Sequence, residues 1–373
     1  MEYITIEECC DILDSRRIPI TASERRSGPY PYYGANGIQD YVAEYIFDDE
    51  LVLLAEDGGN FGSKTLPIAY RVSGKCWVNN HAHVLKPMTN MDVDYLCYSL
   101  MFYDTEELVN GATRQKLTQA AMRKMLIPQR PITEQKKIVS EVSKIQSIIS
   151  ARQQQIQKLD DLVKARFVEM FGDSEFNTMQ WPTKKLSELC YVSSSKRIYQ
   201  NEQSTEGVPF LRISDLNERI DNVKNAPELF IPMNKYNELK ENGLVPTEGD
   251  ILVTSRGTLG RCYIVRPEDE FYFQDGMISW LSDLSHQITS LYLSQLFGMS
   301  GIQKQIASLQ AGSTVAYLSI SMLKRLDIML PPLNLQNQFA VFFEQTNKSK
   351  VAIQKALDEA QLLFDSLMQK YFG

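Results

Sequence analysis

The chain is poor in the residues that build most catalytic and metal centres. It has three histidines in 373 residues: His81, His83 and His286. Only His81 and His83 lie close together, at i, i+2. No cysteine or carboxylate stands beside them at ligand spacing, so no metal site is expected. Six cysteines (Cys9, Cys10, Cys76, Cys97, Cys190, Cys262) are scattered without CxxC spacing, which fits reduced thiols better than a disulfide framework. No apolar run reaches eighteen residues, so no membrane span is expected. The opening MEYITIEECC has acids where a secretory signal needs a basic start, and a soluble cytoplasmic protein is expected. Enzyme signatures are absent too. GGNFGSKT at 58–65 interrupts the Gly-Lys pair of a phosphate loop with Ser63. Pro331-Pro332, preceded by Met329-Leu330 and followed by Leu333, fails the Asn/Asp-Pro-Pro-aromatic pattern of an adenine methyltransferase. No Ser/His/Asp arrangement or metal-nuclease cluster stands out. Together with the spacer-building repeat described below, these absences favour a binding protein over an enzyme.

Positive charge is scarce overall, with a net charge of −7, and unevenly spread. Residues 1–110 carry −10, 111–172 carry +7, 173–311 carry −5 and 312–373 carry +1. A chain so balanced gains little from bulk attraction to nucleic acid. If it binds DNA, local patches do so or a partner supplies much of the phosphate contact. A solvated helix face explains the basic segment equally well.

What is present is a duplication. Gly111 falls on Gly312, Thr113 on Thr314, Leu117 on Leu318, Thr118 on Ser319, Ile127 on Ile328, Pro131 on Pro332, Gln135 on Gln336, Leu162 on Leu363 and Phe171-Gly172 on Phe372-Gly373, always 201 residues apart and without a gap. Each copy has the same plan: a short amphipathic helix (118–125; 319–326), a strand-like piece ending at Pro131 or Pro332, and a long helix that Thr133 or Asn334 can cap. In the first copy Ile138, Val142, Ile145, Ile149, Ile156, Leu159, Val163 and Met170 follow alternating steps of three and four, interrupted only at Arg152 and Arg166. In the second, Phe339, Phe343, Ile353, Leu357, Ala360, Phe364, Leu367 and Tyr371 occupy the equivalent places. Each helix rises for roughly 55–60 Å. Such seams need partners, and each is expected to find the other, antiparallel.

Segments 1–110 and 173–311 read as mixed α/β domains, with β-prone runs at 51–55, 68–72, 76–78, 251–254 and 262–265. Arg25, Arg26, Tyr30, Tyr32, Tyr33 and Asn36 cluster in RRSGPYPYYGAN. Arginine can fork onto guanine or phosphate, and asparagine can pair with adenine; a surface turn over core tyrosines is the plainer alternative. In GDILVTSRGTLGR a buried strand delivers Ser255, Arg256, Thr258 and Arg261 into a glycine-permitted loop, which suits phosphate or base-edge contacts or is an ordinary hairpin turn.

As a set, these motifs resemble the specificity subunits of Type I restriction-modification systems, over essentially the whole chain. The first domain is similar to one class of target recognition domain through PYPYYGANGIQDYV, LLAEDG and WVNNHAHVL. The second is similar to a different class through GVPFLRISDL and GDILVTSRGTLGR, so the two are expected to differ in kind. GATRQKL…MLIPQRPITEQKKI and GSTVAYLS…IMLPPLNLQNQF resemble the family's conserved regions, with Leu335 where the first copy has Glu134. The resemblance implies an α+β chain with a pseudo-two-fold internal repeat: two globular α/β target recognition domains (1–131 and 173–331) separated by two long helices (132–172 and 332–373) packed as an antiparallel coiled coil. It implies double-stranded DNA as ligand, two methyltransferase subunits and motor-nuclease subunits as partners, and S-adenosylmethionine as a cofactor of the methyltransferase partner, none in this chain. Candidate DNA contacts are Arg25, Arg26, Tyr32, Asn36, Asn79, Asn80, His81 and Arg114 in one half, and Arg212, Ser255, Arg256, Thr258, Arg261, Gln274 and Thr314 in the other. Two alternatives stay open: a detached recognition portion of a single-chain restriction-methylation enzyme, and a scaffold whose domains bind proteins.

Overall fold

The computed structural model describes residues 2–111, 115–223, 225–310 and 316–373. The chain divides into two compact units, residues 1–154 with 353–373, and residues 155–352. The division passes through both long helices, so each unit holds one half of each.

In the first unit the core is a sheet. Its strands are β2 (Cys10–Ile12), β3 (Ser27–Gly34), β4 (Gly37–Val42), β5 (Phe47–Ala55), β6 (Ala69–Val78) and β7 (Ala82–Pro87), in the order β2-β7-β5-β6-β3-β4. The run Leu51–Leu54 is fully buried because both faces of β5 are covered. Val52 and Leu54 point into a core with helix α1 (Val93–Met101), while Leu51 and Leu53 meet Val72, Val78 and Val84 on the other face. Strand β1 (Tyr3–Thr5) pairs with β8 (Leu126–Pro128).

The second unit repeats this plan. Strand β9 (Thr183–Lys185) pairs with β16 (Asp327–Met329). Strands β10 (Tyr191–Ser193), β12 (Ile251–Thr254), β13 (Cys262–Ile264) and β15 (Ile278–Ser282) form a sheet in the order β10-β15-β12-β13, the counterpart of β2-β7-β5-β6. Even the parallel pairing recurs. Tyr32 and Tyr33 of β3 lie beside Trp77 and Val78, and Phe210 and Leu211 of β11 (Val208–Leu211) lie beside β14 (Tyr272–Phe273). The expectation that the two segments differ in kind is therefore corrected. They share a frame and differ in what is added to it. Where β4 flanks β3 in the first, the two-residue strand Phe230–Ile231 flanks β11 in the second, and the second adds helices such as α3 (Ile213–Ile220).

The duplicated segment folds alike in both units. Thr118 and Ser319 cap the short helices Gln119–Arg123 and Ile320–Lys324 through their side-chain oxygens. The long helices α2 (Ile132–Phe171) and α4 (Leu333–Phe372) have 40 residues each. They begin one residue before the expected caps Thr133 and Asn334. The carbonyls of Pro131 and Pro332 take the first helical amides instead, since a proline needs no donor partner of its own at a helix start.

The halves of the two helices pair antiparallel within each unit. In the first, Ile138, Val142, Ile145 and Ile149 pack in one core with Leu357, Phe364, Leu367 and Tyr371, and the Tyr371 hydroxyl donates to Glu141 Oε2 at 2.7 Å. In the second, Val163 packs with Phe339 and Phe343, and Lys350 Nζ meets Asp160 at 2.7 Å. Ile156, Leu159 and Ile353 are half-buried. Phe167, absent from the expected seam, is wholly buried in the second unit. Its ring centroid lies 5.4 Å from that of Phe339 and 4.8 Å from that of Phe171. All six cysteines are free thiols, and among the described residues no helix is long and apolar enough to cross a membrane.

Candidate nucleic-acid interface

The shared frame brings most of the candidate residues to one edge of each sheet, where β5 and β12 end. Beyond Ala55 comes Glu56-Asp57-Gly58, and beyond Thr254 comes Ser255-Arg256-Gly257. The two loops are held alike. The amide of Glu56 donates to His81 O at 2.9 Å and that of Ser255 to Met277 O at 2.8 Å. The carbonyls of Glu56 and Ser255 accept from Leu117 N at 2.7 Å and Leu318 N at 3.0 Å. Asp57 is bridged to Lys116 and Arg256 to Tyr317, both in the duplicated segment. Gly58 (φ 61°) and Gly257 (φ 68°) then take the left-handed turn that a side chain would oppose. Beside each loop, β6 and β14 end on a polar residue: Asn79 N donates to Tyr33 O at 3.0 Å and Gln274 N to Leu211 O at 2.9 Å.

In the first unit Asn36, at the β3–β4 turn, is exposed and its Nδ2 donates to Gly58 O at 3.0 Å. Asn80 is exposed, and half-buried His81 places Nδ1 2.5 Å from Asp57 Oδ1. Arg26 is exposed. Arg25 is stacked over Tyr32, 4.1 Å from the ring centroid, with longer contacts to Asp40 and Ile20 O at 3.4 Å. Two candidates are corrected by their burial. Tyr32 is 1% exposed and supports Arg25 from beneath, and Asn79 is 3% exposed, spending its side chain on Gln39 and the His81 amide.

In the second unit Arg256 and Thr258 are exposed, and the Arg256 guanidinium lies 5.1 Å from the Tyr317 ring centroid. Gln274 is half-buried. Ser255 is a further correction: it is 1% exposed and shares a 2.7 Å hydrogen bond with Ser279. Arg212 and Arg261 are committed to acids. Arg212 pairs with Asp215 at 3.2 Å and Glu228 at 2.8 Å, and the hydrogen bond it donates to Asp215 above all raises its pKa. Arg261 pairs with Asp221 and donates to Asn217 at 2.9 Å. Arg114 and Thr314 lie outside the described residues.

Residues overlooked in the sequence complete the first site. Behind its loop, Asp14, Arg17, Glu56 and His83 form a largely buried polar cluster, with Lys116 exposed at its rim. His83 is fully buried, with Nδ1 2.6 Å from Asp14 Oδ2 and Nε2 2.9 Å from Leu117 O. Asp14, Glu56 and His83 approach one another closely enough for a metal. Arg17 already sits between the carboxylates, 2.5 Å from Glu56 and 3.6 Å from Asp14, and Lys116 adds a contact to Glu56 at 3.1 Å. Burial pushes both carboxyl groups up, but hydrogen bonds from His83 to Asp14, and from Arg17 and Lys116 to Glu56, hold them below their usual values. The cluster anchors the loop to the duplicated segment. In the second unit Ser255 and Ser279 occupy the places of Glu56 and His83. A cavity of about 420 Å³ opens at the opposite end of that sheet, lined by Asp250 and Trp280, and takes no part in this edge. Asp57 was legible only by matching LAEDG with VTSRG at an offset of 199 rather than 201.

A family model described as the Type I restriction modification DNA specificity domain matches residues 1–160 and 179–361. A putative type I restriction enzyme specificity subunit of Haemophilus influenzae is 28% identical, over 98% of this chain and 93% of that protein. The MjaVIII type I restriction enzyme specificity subunit of Methanocaldococcus jannaschii is 24% identical, over 95% and 89%. Two solved structures share the fold at 15% identity over all of this chain. One is the type I restriction-modification S subunit of M. genitalium, with a TM-score of 0.60 and 96% of that chain covered. The other comes from work on complex assembly and conformational transition of the type I restriction-modification system, with a TM-score of 0.52 and 97% covered.

Proposed function

This chain belongs to the family of Type I restriction-modification DNA specificity subunits, and we propose that it reads a split, asymmetric DNA target with one recognition domain per half-site. The observation that carries the reading is the repeated loop edge: two units with one frame present different side chains at equivalent positions. Equivalent frames suit two similar halves of a duplex, and different side chains suit two different base sequences. Residues 1–131 and 173–331 are the readers in this proposal, and 132–172 and 332–373 set the length of the unread gap.

Of the candidate contacts, Arg26, Asn36, Asn80, Arg256 and Thr258 are exposed in the described structure, and His81 and Gln274 are partly buried beside them. Tyr32, Asn79 and Ser255 are positioning residues. The acidic balance, −7 overall, gives this chain little purchase on phosphates by itself. Two methyltransferase subunits, one for each repeat, supply that contact and the chemistry with S-adenosylmethionine, and motor-nuclease subunits join for cleavage. The chain itself contributes no catalytic residue.

The test is to sequence methylated adenines in cells carrying this chain and its methyltransferase partner. The expected motif is two short, different half-sites around a fixed gap. A continuous motif overturns the two-reader assignment, and unchanged DNA mobility in the presence of the methyltransferase favours the protein scaffold.

A further inference from the structure

We propose that Asp57 and Arg256 occupy one specificity-determining position, repeated in the two units with inverted hydrogen-bonding character. Asp57 reads an exocyclic amino group of cytosine or adenine, and Arg256 reads the acceptor edge of guanine. The assignment rests on the DNA-reading function proposed above and deepens it.

The two residues are equivalent by topology. Each is the second residue beyond the central buried strand. Each follows a residue whose amide and carbonyl make matching backbone bonds, to His81 and Leu117 in one unit and to Met277 and Leu318 in the other. Each precedes a glycine of positive φ, and each is bridged to a position of the duplicated segment, Lys116 or Tyr317, 201 residues apart. The backbone therefore offers the same approach twice, and the side chain alone differs.

Chemistry then restricts what each can read. A carboxylate is repelled by phosphates, so beside DNA the favourable role for Asp57 is to accept from a base amino group. A guanidinium matches O6 and N7 of guanine with two donors. Both side chains are held: Asp57 by His81 at 2.5 Å, and Arg256 over the Tyr317 ring at 5.1 Å. Of the other candidates at this edge, Arg212 and Arg261 are paired with acids and Ser255 and Asn79 are buried, while Asn36, Asn80 and Thr258 stay exposed beside the loops. The two half-sites are therefore read with opposite hydrogen-bonding character at the equivalent position.

The test uses the complete complex in cells and the methylation motif as readout. Arg256→Ala is expected to make one half-site degenerate at a single guanine, with the preference for that base falling roughly ten- to a hundredfold. The gap and the other half-site stay as they were. Asp57→Asn is expected to do the same at one cytosine or adenine of the other half-site. If Arg256→Ala abolishes methylation altogether, Arg256→Lys decides. It keeps the charge but loses the fork, so guanine preference should fall while methylation persists; a retained motif makes Arg256 a phosphate contact and overturns the proposal. Uniformly weaker methylation with an unchanged motif, or both variants altering one half-site, also overturns it. A wild-type complex without a split motif fails differently, because the DNA-reading function then falls first.

Discussion

Gln135 and Gln336, 201 residues apart, make the same three hydrogen bonds in their two units. Each Oε1 accepts the backbone amide of a helix-capping residue, Asp92 or Thr289, at 2.8 Å. Each Nε2 donates to Arg130 O or Pro331 O, at 2.8 and 2.9 Å, and to Asn90 O or Gln287 O at 3.0 Å. Both residues are buried, at 1% and 0% exposure. A buried amide that satisfies three backbone groups fastens each long helix to the recognition domain beside it.

Gln135→Ala and Gln336→Ala should each cost about 1–3 kcal/mol, because the amide of Asp92 or Thr289 is left buried and unpaired. Urea denaturation checks this. Equal losses at the two sites are expected from the equal geometry, and a loss at only one would contradict the symmetry.

Phe339 lies at 0% exposure among Phe167, Phe171 and Tyr292 in the second unit. Phe339→Ala should cost about 3–5 kcal/mol through lost contact and the cavity left behind. Phe339→Leu should recover most of it. Thermal melting of the two variants measures the difference.

Acid should loosen the first unit through Asp14 and Glu56. Their folded pKa values are lowered. The stability they contribute is therefore present above the unfolded carboxylate values, near 3.9 for Asp and 4.3 for Glu. It is lost as pH falls through the lower folded values. Denaturation between pH 7 and pH 3 should show a fall concentrated below about pH 4. Asp14→Asn should be less stable at pH 7 and show a shallower fall.

The helices offer a test of the spacer role. One heptad added to α2 between Ser150 and Lys158, with the matching heptad in α4, lengthens both helices by about 10.5 Å. Motif sequencing should then show a gap longer by about three base pairs at 3.4 Å each, with both half-sites unchanged. An altered half-site with an unchanged gap would refute the spacer assignment.

Much of this molecule was legible as a linear pattern. The period of 201, the capped short helices and the apolar seams follow from residue spacing alone, because helix periodicity and capping are local physics. The glutamine pair was visible as a match but not as a function, since its partners Asp92 and Thr289 lie 43 and 47 residues upstream. The frame shared by the two recognition domains was hidden for a related reason. Its strands repeat at offsets that drift with loop length, from 180 for Ile12 of β2 and Val192 of β10 to 199 for Val52 of β5 and Ile251 of β12.

At the candidate site the division is sharper. Composition marked where polar and aromatic side chains gather, and that they gather in both halves. Whether such a side chain faces solvent or a neighbour depends on contacts distant in sequence. Ser255 turns to Ser279, Tyr32 lies under Arg25, Arg261 is claimed by Asp221, and His83 closes on Asp14, 69 residues away. Residue type and spacing set which groups the chain has to offer. Only the packing of strands far apart in sequence decided which of them are spent inside and which are left to meet a ligand.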